Sequence, residues 1–257
     1  TNFPDDPLAS YVSTLGKSTP VIYGPLWVLI SFVPALISGD NIFFGLLAFK
    51  IIALIFSSGC FLLIFKIIDT LGLKNKNLAL ISYGWSPLLL FETINEGHND
   101  IVMIFFVLLA IFFLLRRKNN LVLLALALSV AIKYITILLL PMFLFFLVKK
   151  LPTLKKKIKF VLVQLFAFCF IMFISFLPFW QGPTTLGGLF FQTSQINLYH
   201  LSIFPFLISI VNPEAELIRF ISYFIFFLTY IYLLFRKSSD NETSFIKKSF
   251  LILTTYL

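Results

Sequence analysis

The sequence predicts an all-α, polytopic helical membrane protein that mixes spanning helices with interfacial and short hairpin helices. Three observations carry the prediction. Sixty per cent of the residues are apolar. Only 12% are charged, where a soluble domain has about a quarter. The apolar residues run in long blocks without strict alternation, which favours helices over a β-barrel. The net charge of +9 is no nucleic-acid signature, because the basic residues fall in short clusters between apolar blocks. Cytoplasmic loops beside anionic lipid have that pattern. Membrane lipids are therefore expected partners and nucleic acid is not.

Apolar blocks lie near 25–38, 42–65, 78–94, 101–115, 121–148, 158–180, 201–211 and 217–235, and another begins near 245. Basic connectors are KIIDTLGLKNK (66–76), RRKNN (116–120), KKLPTLKKKIK (149–159) and RKSSDNE (236–242). Non-basic ones are SGDN (38–41), the stretch around NEGHND, residues 181–200 and NPEAE (212–216). The positive-inside rule places the first set in the cytoplasm and the second outside. This gives a multi-pass protein of the plasma membrane, with NEGHND on the extracytoplasmic side.

Two blocks do not fit simple spanning. Block 25–38 begins and ends outside and falls short of the roughly 20 residues a crossing needs. It is expected to be an interfacial helix, opened by Gly24 and Pro25 and anchored by Trp27. Block 121–148 has basic flanks at both ends. As one helix it would measure about 42 Å, against a hydrocarbon core of about 30 Å. The chain is expected to turn back near Lys133, Tyr134 and Thr136, with Pro141 in the returning arm. Broken helices are tolerated where they line a wet cavity, so an outward-facing cavity is expected there. Segment 201–211, with Pro205, reads as a further interfacial piece. Cys60 and Cys169, each inside an apolar block, read as packing residues. Neither end has a natural look, TNFPDDPLASYV opening the chain and SFLILTTYL stopping inside an apolar block. The expectation is one transmembrane domain over residues 1–257, lacking a first membrane helix and C-terminal helices.

The polar residues concentrate in FETINEGHND, where Glu92, Asn95, Glu96, His98, Asn99 and Asp100 stand between two apolar blocks. A bland reading is a polar turn in which Asn99 or Asp100 caps the next helix. A cap needs only one side-chain oxygen, however, and this turn offers carboxylates, an imidazole and amides. Glu92 lies deeper, where an unpaired charge in lipid costs roughly 2.5–3.5 kcal/mol, so it should face protein or water. His98 with Asp100 is a weak metal pattern, His200 being the only other histidine. Lys133, at the expected bend, either snorkels to an interface or acts as a point charge for a phosphate. Tyr134 beside it offers a hydrogen bond or a stacking surface for a sugar. Tyr23 is presented at the outer rim, where an aromatic-belt role competes with a binding one. Lys50 can snorkel, join Lys133 around an anion, or form a structural ion pair with Glu92 or Asp100; the ion pair is the favoured reading. Arg219 reads as an interfacial anchor.

TPVIYGPLWVLIS, SPLLLFETINEGHNDIVMIFFVLLAIFFLL and LALALSVAIKYITILLLP together resemble, in order and spacing, the membrane mannosyltransferases of the GT-C superfamily. The similarity is greatest to the bacterial polyprenyl-phosphate-mannose-dependent alpha-mannosyltransferases and covers roughly residues 1 to 150. The resemblance implies a GT-C fold with an active site at the outer membrane surface. The donor would be a polyprenyl-phosphate sugar, most often mannose, and the acceptor a glycan or glycolipid. No cofactor is implied, and a divalent metal is left open. His98, Asn99 and Asp100 match the family's polar turn, while Lys133 and Tyr134 match its hairpin. Asp100, alone or with His98, would position or help deprotonate the acceptor hydroxyl alongside a further aspartate, and Lys133 would stabilise the leaving phosphate. Asn99, Glu96, Tyr134 and Tyr23 would bind substrate. The resemblance also implies a catalytic aspartate early in the first outer loop. Asp5 and Asp6 look like a later element, so that base is expected upstream of residue 1.

A competing reading is a transporter or flippase in which Glu92, Asp100 and Lys133 form an ion relay. It should show polar residues meeting at mid-membrane and an inverted repeat, and neither is evident. A lipid-glycan polymerase or ligase would need a larger, arginine-bearing outer loop than 181–200.

Overall fold

The computed structural model describes residues 21–187, 215–236 and 241–256. Asp5, Asp6, His200 and segment 201–211 lie outside these residues, as does the side chain of Arg219. The described residues are helical, with no strand among them. In chain order they form α1 (Pro25–Ser38), α2 (Ile42–Thr70), α3 (Lys76–Gly84), α4 (Asp100–Leu115) and α5 (Asn119–Ile132). Then follow α6 (Leu140–Lys149), α7 (Leu154–Phe176), α8 (Ala215–Phe235) and α9 (Glu242–Tyr256). A π-helical stretch, Leu89–Asn95, precedes α4, and a 3-10 stretch, Tyr134–Leu139, joins α5 to α6.

Block 78–94 was expected as one span, and the structure divides it. α3 ends at Gly84, and the chain leaves helical geometry at Trp85 and Ser86 before Pro87. Proline lacks an N–H and disfavours the α region for the residue before it. Block 121–148 does turn back at Lys133, whose backbone is extended (φ −149°, ψ 120°). Pro141 sits in the first turn of α6, where its missing N–H costs nothing.

The centre of the fold is α5. Ala125, Ala127, Ser129 and Ala131 on it are all buried, and such small side chains let neighbouring helices approach closely. Val122, Leu123 and Leu126 of α5 share one core with Val107, Ile111 and Leu114 of α4 and with Phe143 and Leu147 of α6. α9 closes this core through Ile252 and Phe245, the latter edge-on to Phe143 at 4.8 Å between ring centroids. A second cluster gathers Cys60, Ile101, Val102, Met103 and Ile132, with Leu26, Trp27 and Ile30 of α1 packed on it. Trp27, expected as an interfacial anchor, is half-buried there and meets Phe49 at 6.0 Å. Phe168 of α7 packs on Ala127 and Val130.

The outside is apolar. Leu162, Phe166, Phe170 and Phe173 of α7 are all exposed, a stripe suited to lipid rather than to water. Cys169, expected to pack, is exposed in the same helix, whereas Cys60 is buried; both are free thiols. Among the described residues two helices, Ile42–Thr70 and Leu154–Phe179, are long and apolar enough to cross a membrane.

The four basic connectors meet at one end. Lys66 and Arg116 each lie 5.9 Å from the centre of the Phe112 ring. Glu242 pairs with Lys150 at 3.3 Å and with Arg117 at 3.5 Å. Asp100 and Lys133 lie at the other ends of α4 and α5, roughly 24 Å along a 16-residue helix from Leu115.

Candidate active site

Three chain segments build the site, each held by a local device. The first is the turn leading into α4. Wide π-helical winding carries Glu92 round so that its carbonyl accepts from the His98 N–H at 3.1 Å, while the Thr93 carbonyl accepts from Gly97 at 3.1 Å. Gly97 takes a positive φ of 72°, a region that favours glycine. The capping reading fails: Asn99 makes no side-chain cap bond, and the Asp100 carboxylate turns to Lys133.

The second segment is the break after α5. Ser129 Oγ donates to the Met103 carbonyl at 3.0 Å and lies 3.0 Å from Thr136 Oγ1, all within the buried interior. Thr136 Oγ1 reaches the Lys133 carbonyl at 3.3 Å. This brace ties the bend to α4, so the position of Lys133 is set relative to Asp100. A buried hydroxyl left without a partner would cost about 1–3 kcal/mol.

The third is the entry to α1. Gly24 N–H donates to the Ile132 carbonyl at 2.9 Å. A Cβ at Gly24 would lie 2.2 Å from the Ala131 carbonyl oxygen, so only glycine fits. The contact seats Tyr23 beside the bend, where Tyr134 Oη reaches its carbonyl at 3.5 Å.

The result is a chain of four ionisable groups. Lys133 Nζ lies 2.7 Å from Asp100 Oδ1. His98 Nδ1 lies 3.9 Å from Asp100 Oδ2, and its Nε2 lies 3.6 Å from Glu92 Oε2. The last two are close approaches rather than hydrogen bonds. Lys133 and Asp100 are about one-third exposed, and His98 and Glu92 slightly more than half. Such a pair contributes about 1 kcal/mol at most to stability and remains open to a ligand. Asn99 is buried, and its Nδ2 is the one buried side-chain nitrogen or oxygen without a partner among the described residues.

His98, Asp100 and Lys133 are therefore brought together, with Asn99 in the same turn. Tyr134 follows Lys133 in the chain, but its ring packs on Ala127, Val130 and Phe168, and among the described residues its hydroxyl reaches only the Tyr23 carbonyl. Glu96 is not part of the chain: it accepts from Asn95 Nδ2 at 2.8 Å and makes no ion pair among the described residues. Lys50 is exposed and also makes none, which corrects the ion pair expected for it. Cys60, not Lys50, sits level with Ile101, its Sγ 3.7 Å from that carbonyl, and ten residues of helix are about 15 Å. No group of three or more potential metal ligands occurs among the described residues. One contributor gave little sign in the sequence, Gly24, which read only as a helix start. Glu92 was expected to face protein or water, but its six-residue spacing from His98 matches no regular helix face and did not show that the two would meet.

Helices with apolar outer faces around a small, accessible ionic cluster define a helical protein suited to lipid, with that cluster at the end opposite its basic loops. Residues 2–149 match the family model of the alpha-(1->6)-mannopyranosyltransferase N-terminal domain. The match spans more than half of the 257 residues, and the chain belongs to this mannosyltransferase family. Neither a curated protein nor a solved structure gives a match.

Proposed function

We propose that the protein is a GT-C-type, multi-pass mannosyltransferase that moves mannose from a polyprenyl-phosphate donor to a glycan or glycolipid acceptor at the outer face of the plasma membrane. The observation that carries this reading is the 2.7 Å pair between Lys133 and Asp100, with His98 on the far oxygen of Asp100. Transfer from a sugar phosphate needs two things in one place: a cation for the leaving phosphate and a carboxylate for the acceptor proton. The two halves of this pair are those groups. Family membership supports transfer over the transporter reading. The convergence of the basic connectors at the opposite end supports an outward-facing site.

In the proposed reaction the donor phosphate draws Lys133 away from Asp100. The acceptor oxygen attacks the anomeric carbon while the bond from that carbon to the phosphate oxygen breaks. The acceptor proton passes to Asp100, and polyprenyl phosphate leaves against Lys133. Tyr134 and Tyr23 flank the sugar, and Asn99, whose amide nitrogen is buried in the turn, reaches it only if the turn shifts on binding. The donor is a substrate, and no cofactor enters. In the full-length enzyme, Lys133→Ala should abolish transfer from polyprenyl-phosphate mannose while the protein still inserts. Asp100→Asn should reduce kcat by about 10²-fold or more with donor KM little changed. Normal turnover by Lys133→Ala would refute the phosphate role.

A further inference from the structure

Glu92 has no part in the transfer just described, yet the structure gives it two contacts with His98. Its carbonyl accepts from the His98 N–H, and its carboxylate lies 3.6 Å from His98 Nε2. The π-helical stretch produces both. In an α-helix the Glu92 carbonyl would accept from Glu96, whereas here the Glu96 N–H goes to Phe91 and the Glu92 carbonyl is left for His98. Single wide turns of this kind occur often at functional sites.

We propose that Glu92 is a positioning residue for the transfer: it fixes which nitrogen of His98 carries the proton and receives that proton on its way to water. The inference rests on the mannosyl-transfer reading above. The imidazole stands between two carboxylates, Glu92 facing Nε2 and Asp100 facing Nδ1. A neutral imidazole has one N–H and one lone pair, so it can donate to only one of them. Asp100 is already engaged by Lys133. Glu92 has no other ion-pair partner among the described residues. In the proposed arrangement the N–H is on Nε2, the 3.6 Å approach to Glu92 closing to hydrogen-bond length, and the Nδ1 lone pair faces Asp100. That tautomer can take a proton from Asp100.

The steps then balance. The acceptor hydroxyl loses its proton to Asp100 as its oxygen bonds to the sugar. Asp100 passes a proton from Oδ2 to Nδ1, and the proton on Nε2 moves to Glu92, which gives it to water. One proton travels from the acceptor to solvent, and both carboxylates return to their starting states. The imidazole is left with its proton on Nδ1 and, being more than half exposed, returns to the Nε2–H form by exchange with water before the next turnover. When the donor phosphate draws Lys133 away, Asp100 is free to turn to His98. Closing the 3.9 Å gap to hydrogen-bond length needs a shift of about 1 Å, and such contacts commonly tighten in the substrate complex.

Two substitutions in the full-length enzyme separate the roles. Glu92→Gln keeps an oxygen to accept from Nε2–H but cannot take the proton, while Glu92→Leu removes both. Nitrogen-15 NMR reads His98 through the imidazole signals that a His98→Gln variant lacks. The expected result is an Nε2–H tautomer in the parent and in Glu92→Gln, and its loss in Glu92→Leu. Kinetically, Glu92→Gln should lose about a hundredfold in kcat, the low end for proton transfer, with donor KM unchanged. An unaltered tautomer in Glu92→Leu, or parental kcat in Glu92→Gln, overturns the proposal. If the parent enzyme fails to use polyprenyl-phosphate mannose, the transfer reading falls, and the tautomer measurement still decides the orientation.

Discussion

Replacing Gly24 by alanine tests whether the entry to α1 holds the bend in place. The new Cβ would lie 2.2 Å from the Ala131 carbonyl oxygen, and ordinary contact begins at 3.4 Å, so the two segments must part by 3.4 − 2.2 = 1.2 Å. Overpacking on this scale costs about 1–3 kcal/mol. The Gly24 to Ile132 hydrogen bond at 2.9 Å would be weakened or lost, adding about 0.5–1.5 kcal/mol. Together these give a destabilisation of about 1.5–4.5 kcal/mol. At about 2–4 °C per kcal/mol for a chain of this size, thermal unfolding should move down by roughly 3–18 °C. Because the displaced carbonyl lies two residues before Lys133, the reacting groups would also be misplaced by about 1 Å, which can cost around a hundredfold in rate. The assay is thermal unfolding of the purified protein beside mannosyl transfer by the same preparation. Native stability together with native turnover in Gly24→Ala would refute the claim that this contact seats the site.

Two other predictions concern the opposite end and the orientation of the molecule. Glu242 is held below its ordinary value of 4.5, first by its own backbone N–H and then by Lys150 and Arg117. Its contribution to stability should be complete above pH 4.5 and decline as the pH falls through the lowered value; unfolding followed from pH 7 downwards should show this, and Glu242→Gln should remove it. For orientation, cysteines introduced at Glu96 and Lys118 in a Cys169→Ser background should differ in intact cells, with an impermeant thiol reagent labelling only position 96. The reverse labelling would invert the proposed topology.

Much of the site could be read from the sequence because its causes are local. The length of block 121–148 against a bilayer forced a turn, and Lys133 was the polar residue available to occupy it. NEGHND stood out because charges are costly in an apolar chain. The division of 78–94 was also legible, since Ser86-Pro87 is a helix-breaking pair, but the apolar run masked it. Lys50 was misread for a different reason: the offset between α2 and α4 is fixed by Cys60 packing against Ile101, and no helical period within one block encodes that offset. The Gly24 contact and the orientation of Glu92 likewise depend on segments far apart in sequence or on irregular winding.

The packing of α9 bears on how the molecule can be divided. The family resemblance stops at Lys149, yet Phe245 lies 4.8 Å from Phe143 and 4.6 Å from Phe146, and fully enclosed Ile252 shares their cluster. Trimming the polypeptide at that tempting boundary would strip one wall from the greasy centre and leave bare rings where a neighbour had been. Someone seeking a minimal piece for expression should keep α9, because the stretch carrying the ionic cluster borrows part of its interior from residues a hundred positions downstream.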